Sequence, residues 1–414
     1  MIHMGGRHCV TNKKLAITHG LLAAHHIYMD NCIGLKLVVM MISLSYNHQT
    51  DCIQIKHAIH TQDRDESMAE KIFIVGPAWV GDMVMSQSLY ITLKQHNPDA
   101  DISVLAPAWC LPLLNRMKEV NRAIEMPIGH GELNLLGRRA LGKVLQADKY
   151  THAYILPNSA KSALIPWFAG IPKRTGWKGE MRYGLLNDLR HNKKAIQHMV
   201  ARYVALAHRP QTLADHPEYL KLDNIPVPQL TVVPQQQARL LSQHQIDANR
   251  PCIGLCPGAE FGPAKQWPAP YYAEVAKQLI ERGYQVLLFG SEKDRETTRS
   301  IELAIQPFSD QLFNLAGQTS LIEALDLIGY CQTIICNDSG LMHVAAAVGC
   351  EVITLYGSSS FEYTPPLTER KHLLYTDIEC RPCFKRTCPL GHLNCLQQLL
   401  PEQVLSLIPD KAPL

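Results

Sequence analysis

A membrane-spanning helix is missing from this 414-residue chain: the longest apolar run, Ile33 to Leu44, is broken by Lys36 and falls short of the roughly 20 residues a span needs. The run also lies too far from the start, and lacks the small-residue cleavage site, to serve as a secretory signal. Charge of one sign is scarce as well. Forty Lys and Arg stand against 37 Asp and Glu, and no basic run is long enough for a nucleic-acid tail, so any affinity for anions must come from local patches. No Gly-x-Gly-x-x-Gly opens a helix, which removes the dinucleotide fingerprint and disfavours a nicotinamide oxidoreductase.

Apolar content, by contrast, is ample at 46%, and the length suggests two to three domains of roughly 100 to 200 residues each. Thirteen cysteines, several of them in apolar strand-like segments (Cys252, Cys256, Cys331, Cys336), suit reduced thiols in a cytosolic protein, with contact to a membrane surface left open. Residues 1–67 differ from the rest: they hold eight of the nineteen histidines, no tryptophan and no phenylalanine, without a clear helix or strand period. Met68-Ala-Glu-Lys then leads straight into a strand-like run. We expect Met68 to be the true start and residues 1–67 to be a non-native or disordered extension; the scattered histidines show no metal-ligand spacing.

From residue 68 onward, strand-like and helix-like segments alternate twice. The first series contains strands at Ile72–Gly76, Ile102–Ala106 and Thr151–Leu156, with helices at Asp82–His96, near Leu111–Met117, near Leu133–Gln146 and at Ala160–Ala169. Asp223 to Gln237, rich in proline and glutamine, reads as a linker. The second series has strands at Cys252–Cys256, Gln285–Phe289, Thr333–Cys336 and Glu351–Tyr356 and helices at Tyr271–Arg282, Thr297–Ile305, Leu321–Tyr330 and Leu341–Val348. A last helix, Pro401–Ile408, is expected to pack back across the linker. Alternating βα units imply parallel sheets covered on both faces. The fold class is therefore α/β, with two Rossmann-like doubly wound domains, residues 68–235 and 236–414, facing a central cleft.

Two strand-to-helix turns carry an acidic residue beside glycine: Gly76-Pro-Ala-Trp-Val-Gly81-Asp82 and Asn337-Asp338-Ser339-Gly340. Free N–H groups and the positive end of the dipole suit a helix N-terminus to phosphate. A carboxylate there serves as a base, as a grip on a sugar or simply as an N-cap. Lys265, on the Gly/Pro-rich loop Pro257–Pro268, stands either as an exposed cation or as a point charge for phosphate. Glu292 and Asp294 follow strand Gln285–Phe289, where an acid can hold ribose. Lys173, Arg174, Lys178 and Arg182 lie with two aromatics in one eleven-residue stretch, as ordinary loop charge or as a grip on an acidic acceptor. Cys380, Cys383, Cys388 and Cys395, beside His392, are candidates for structural zinc, although their spacing is not that of a familiar zinc ribbon.

Taken together, GPAWVGDMVMSQSLY, APAWCLPLL (Ala106–Leu114), Leu156–Asp188, CPGAEFGPAKQWP and NDSGLMHVAAA resemble the bacterial ADP-heptose:lipopolysaccharide heptosyltransferases of the inner core, in order and spacing from Met68 to about Pro366. The resemblance implies a GT-B fold. It implies an inverting transfer of L-glycero-D-manno-heptose from ADP-heptose to the first heptose of heptosyl-Kdo2-lipid A, with no cofactor or metal required and no nucleic-acid partner. Asp82 falls on the general base and Lys265 on the lysine at the donor phosphates. Gly258, Lys265, Glu292, Asp338, Ser339, Gly340 and His343 fall on the donor site. Gly81, Lys173, Arg174, Lys178 and Arg182 are assigned to a lipid A-core acceptor at the cytoplasmic face of the inner membrane. A transferase with another acceptor, such as one adding the first heptose to Kdo, fits the same motifs. A nucleotide-sugar-binding protein without turnover is opposed by the joint presence of Asp82, Lys265 and Asp338.

Overall fold

The computed structural model describes residues 70–129, 131–410 and 412, without the side chains of 307–309; the expectation about residues 1–67 lies outside that range. Six parallel strands form the first sheet: β1 (Lys71–Val75), β2 (Asp101–Ala106), β3 (Arg122–Glu125), β4 (His152–Ile155), β5 (Lys173–Trp177) and β6 (Asp188–Arg190), in the order β3-β2-β1-β4-β5-β6. Six more form the second: β7 (Cys252–Cys256), β8 (Gln285–Leu288), β9 (Leu312–Asn314), β10 (Thr333–Asn337), β11 (Glu351–Tyr356) and β12 (Lys371–Tyr375), in the order β12-β11-β10-β7-β8-β9. Counted from its own first strand, each sheet has the same order. Each reverses direction of growth at one point, between β1 and β4 and between β7 and β10, and ligands of doubly wound sheets bind outside the carboxyl ends of strands at such a point.

The strands are apolar on both faces because helices cover both. In β1, Ile72 and Ile74 face one core while Phe73 and Val75 face another, the period-2 alternation of a strand. Five helices matter most to the site: α1 (Val80–His96), α2 (Met199–Val204), α3 (Ala269–Glu281), α4 (Gly340–Ala347) and α5 (Pro401–Leu405). One apolar cluster is continuous across the two halves, running from Met83 and Leu89 of α1 through Tyr203 to Met342 and Val344 of α4. Below it, Arg116 of the first half makes a bidentate pair with Asp326 of the second, at 2.9 and 2.8 Å. Asp326 also accepts from the Val233 N–H at 3.0 Å, and the Thr231 N–H donates to the Arg116 carbonyl at 3.1 Å. The chain is therefore pinned to both halves where it crosses between them.

Three expectations need correction. Lys173–Trp177 is a strand, not a loop, although Lys-Arg-Thr-Gly-Trp carries no β-branched run to announce it. The linker is shorter than Asp223–Gln237, because a helix begins at Pro234. The C-terminal helix does not cross back: α5 stays on α3, where the Arg282 guanidinium caps it by donating to the Leu405 and Ile408 carbonyls, each at 3.0 Å.

Candidate active site

Both acidic turns sit at the two reversal points, and neither acid is spent as a cap. Trp79 is the N-cap of α1 and Ser339 that of α4, and neither side chain caps its helix. Two helix ends with free N–H groups are thus presented at one crevice, and Asp82 lies in the first turn of α1. The ends approach closely. A Cβ built on Gly81 would lie 2.7 Å from His343 Cδ2, and one built on Gly340 would lie 3.1 Å from the Cβ of Val80, so both glycines are required for contact between the halves. Gly81 is accordingly buried against α4 and offers no surface to an acceptor, which corrects its assignment.

Lys265 reaches across from the loop after β7 and donates to Asp338 Oδ2 at 2.5 Å, the carboxylate being almost fully buried. Lys265 is therefore not an exposed loop cation. The loop is fastened by Asn337, whose Oδ1 accepts from the Trp267 N–H at 3.0 Å and whose Nδ2 donates to the Pro257 carbonyl at 2.8 Å. Asn337 thus holds this loop against β10, which explains one polar residue of the Asn-Asp-Ser-Gly run. The Asp82 carboxyl is pushed up to about 6. Burial is the main cause, opposed by a hydrogen bond from Tyr203 and by the Lys265 charge, with Asp338 adding to the rise. His343 is buried and driven down to about 4, chiefly by burial, so its imidazole is neutral near pH 7.

The remaining candidates separate. Asp294 closes a capping box, accepting from the Ser291 N–H and hydroxyl at 2.8 and 2.7 Å. Glu292 keeps an exposed carboxylate, paired only with Arg295 at 2.8 Å, and lies against Gly317, whose φ of +68° is a left-handed conformation that favours glycine. Gly258 is half-buried beside Asp294.

Of the four cations assigned to the acceptor, three are placed elsewhere. Lys173 and Arg174 stand at the amino end of β5, paired with His152 and Ala153, at the opposite edge of the sheet from Asp82. The Arg174 guanidinium is used on the Leu185 and Ile171 carbonyls. Arg182 is 1% exposed, and its guanidinium satisfies the carbonyls of Trp177 and Pro157, so it serves as internal scaffolding for the turn. Lys178 alone is exposed at the carboxyl end, over the Tyr183 ring. Among the described residues no three His, Cys, Asp or Glu side chains are grouped to hold a metal; Cys380, Cys383, Cys388 and Cys395 are free thiols, and the Cys395 thiol is pushed up first by burial and then by its neighbours Cys380, Cys388 and Cys383. No helix among the described residues is long and apolar enough to cross a membrane.

Sequence reasoning missed Tyr203. It lies on a six-residue helix with no legible period, and only the packing of α2 on α1 brings it to Asp82.

Comparison with known proteins gives a consistent picture. Residues 138–394 match glycosyltransferase family 9 (heptosyltransferase). The lipopolysaccharide heptosyltransferase 2 of Escherichia coli (strain K12) is 50% identical over 340 residues, 81% of this chain and 96% of that protein. The lipooligosaccharide heptosyltransferase 2 of Haemophilus influenzae is 52% identical over 310 residues, 73% of this chain and 88% of that one. The solved structure of E. coli ADP-heptose lps heptosyltransferase II superimposes with a TM-score of 0.69 at 48% identity, covering 81% of this chain and 99% of that one.

Proposed function

Since the chain belongs to glycosyltransferase family 9, the heptosyltransferases, we propose a division of labour in its crevice in which the first half supplies the base and the second half holds the donor. The chain is an inner-core heptosyltransferase of the GT-B fold, transferring heptose in lipopolysaccharide synthesis. In the finer reading the donor is ADP-L-glycero-D-manno-heptose and the acceptor is the first heptose of heptosyl-Kdo2-lipid A, reached from the cytoplasmic side of the inner membrane.

Asp82 takes the proton from the acceptor hydroxyl as its oxygen attacks the anomeric carbon. The bond from that carbon to the diphosphate oxygen breaks on the opposite face, which inverts the centre. The departing ADP carries its charge to Lys265 and to the N–H groups that open α4, and this scheme calls for no metal. Asp338 loses Lys265 to the diphosphate and turns to the heptose hydroxyls. Glu292 holds the ribose, and Gly258 leaves room for the backbone to approach the nucleotide. Lys178 is the cation best placed for the acidic acceptor, since it is the one of the four exposed at the crevice end.

The observation that supports this reading best is the convergence of three separate turns on one site, with Lys265 on Asp338 and both charges felt by Asp82. The test is transfer by the purified chain from ADP-heptose, with Kdo2-lipid A and heptosyl-Kdo2-lipid A offered side by side and the products weighed. A gain of one heptose on the heptosylated acceptor alone is expected. Transfer to Kdo2-lipid A alone would overturn the acceptor assignment, and donor binding without transfer to either would direct attention to a different acceptor.

A further inference from the structure

Helix α2 takes no part in the chemistry just described, yet it touches both sides of it. Tyr203 is 3% exposed, on a helix packed against α1, and its hydroxyl is near enough to the Asp82 carboxylate to favour its charged form. The preceding residue engages the other half of the molecule. The Arg202 guanidinium lies over the Tyr363 ring, 5.0 Å from its centroid, and Nη1 donates to the Tyr363 hydroxyl at 3.2 Å. The Met199 N–H donates to the Tyr363 carbonyl at 2.9 Å. The next residue, Thr364, reaches Asp338 Oδ1 with its hydroxyl at 3.4 Å. One short helix is therefore joined on one side to the base and on the other, through Tyr363 and Thr364, to the donor turn.

We propose that Tyr203 is a positioning residue for Asp82, and that the Arg202–Tyr363 contact ties this positioning to closure of the two halves. The inference rests on the reading of Asp82 as the base. A general base must keep one oxygen within hydrogen-bond reach of the acceptor hydroxyl, and a partly buried carboxylate without a fixed partner has more than one rotamer. Burial keeps the Tyr203 phenol protonated, so in this role it donates and Asp82 accepts. That occupies one carboxylate oxygen and leaves the other for the acceptor. The other ionisable groups felt by Asp82 are Lys265 from the loop after β7, Asp338 at the end of β10 and Tyr363 from the loop after β11. Lys265 is itself paired with Asp338, and His343, which packs on Gly81, is neutral. Tyr203 is thus the donor proposed for the base.

Tyr203→Phe keeps the ring and removes the hydroxyl. We expect kcat to fall about tenfold and KM for ADP-heptose to stay within about twofold. The acid limb of the kcat–pH profile should move up by about one unit, because a carboxylate that loses a donor to its charged form protonates more easily. Replacing Tyr203 with difluorotyrosine, which keeps the shape and strengthens the donor, should move the limb down; this serves as the test if the phenylalanine variant folds poorly. Tyr363→Ala should also lower kcat, and combining it with Tyr203→Phe should give less than the product of the two losses, as expected of coupled residues. An acid limb unmoved in both Tyr203 variants, with Asp82→Asn inactive, overturns the positioning role. Multiplicative losses overturn the link to closure. Turnover by Asp82→Asn overturns the base reading itself.

Discussion

The two halves share one strand order and differ in what they place at the carboxyl edge. At its reversal point the first sheet offers a single carboxylate, kept from pairing with a cation and raised by burial. At the matching point the second offers a mutually neutralising Lys265–Asp338 pair and a loop fastened by Asn337. On the proposed reading the same topology therefore yields a proton acceptor on one side and an anion cradle on the other. The backbone provides the position and a handful of side chains provides the chemistry, which is why fold alone does not specify activity.

The division can be broken most severely at Asp82. Asp82→Asn is expected to cost about a thousandfold in kcat while ADP-heptose binding, followed by calorimetry, is retained. The same variant should be more stable near pH 7.5. The Asp82 carboxyl titrates near 6 in the folded protein, above its ordinary value of 3.8, so its contribution to stability is fully present below the unfolded value and is lost as pH rises through about 6. Removing the charge should return roughly 1–3 kcal/mol, measured by denaturant unfolding at pH 7.5, and the gain should vanish near pH 4. The kcat of the wild-type chain should fall below pH about 6 for the same reason.

Breaking the other side should look different. Lys265→Ala is expected to weaken ADP-heptose binding and turnover about a hundredfold. It should also cost about 3 kcal/mol of stability, because the buried Asp338 is left without its partner. A stabilised Lys265→Ala protein would contradict the cradle. Smaller effects sharpen the picture. Glu292→Gln should raise KM for ADP-heptose about fivefold with kcat spared, whereas Asp294→Asn should cost about 1 kcal/mol of stability through its capping box and leave KM unchanged. Smallest of all, Lys178→Glu should raise the acceptor KM a few-fold, while Lys173→Glu, at the far edge of the sheet, should not move it.

Much of this was legible before the fold. Buried strands such as Cys252–Cys256 and Glu351–Tyr356 announce themselves by apolar runs ending at turn residues, and the acidic turns follow from glycine beside aspartate at a helix start. What was not legible depends on partners distant in sequence. Arg182 looks like a surface cation because four charges stand close together, and only the fold reveals the carbonyls that consume it. Lys173 and Lys178 are five residues apart, but a strand separates neighbours in sequence by its own length and sends them to opposite edges. Tyr203 carries no local signal, since its meaning is its contact with a helix more than a hundred residues earlier.

The junction of Arg116, Asp326, Thr231 and Val233 has a mechanical consequence. A forked guanidinium on a carboxylate resists sliding, because moving either group breaks two parallel bonds at once. Any swing of one half against the other must therefore rupture this junction or turn about it as a pivot. In the second case displacement grows with distance from the pivot: the linker hardly moves, and the far lips of the crevice sweep the longest arc. Arg116→Lys, which retains the charge but loses the fork, would then loosen the axle and leave the jaws intact.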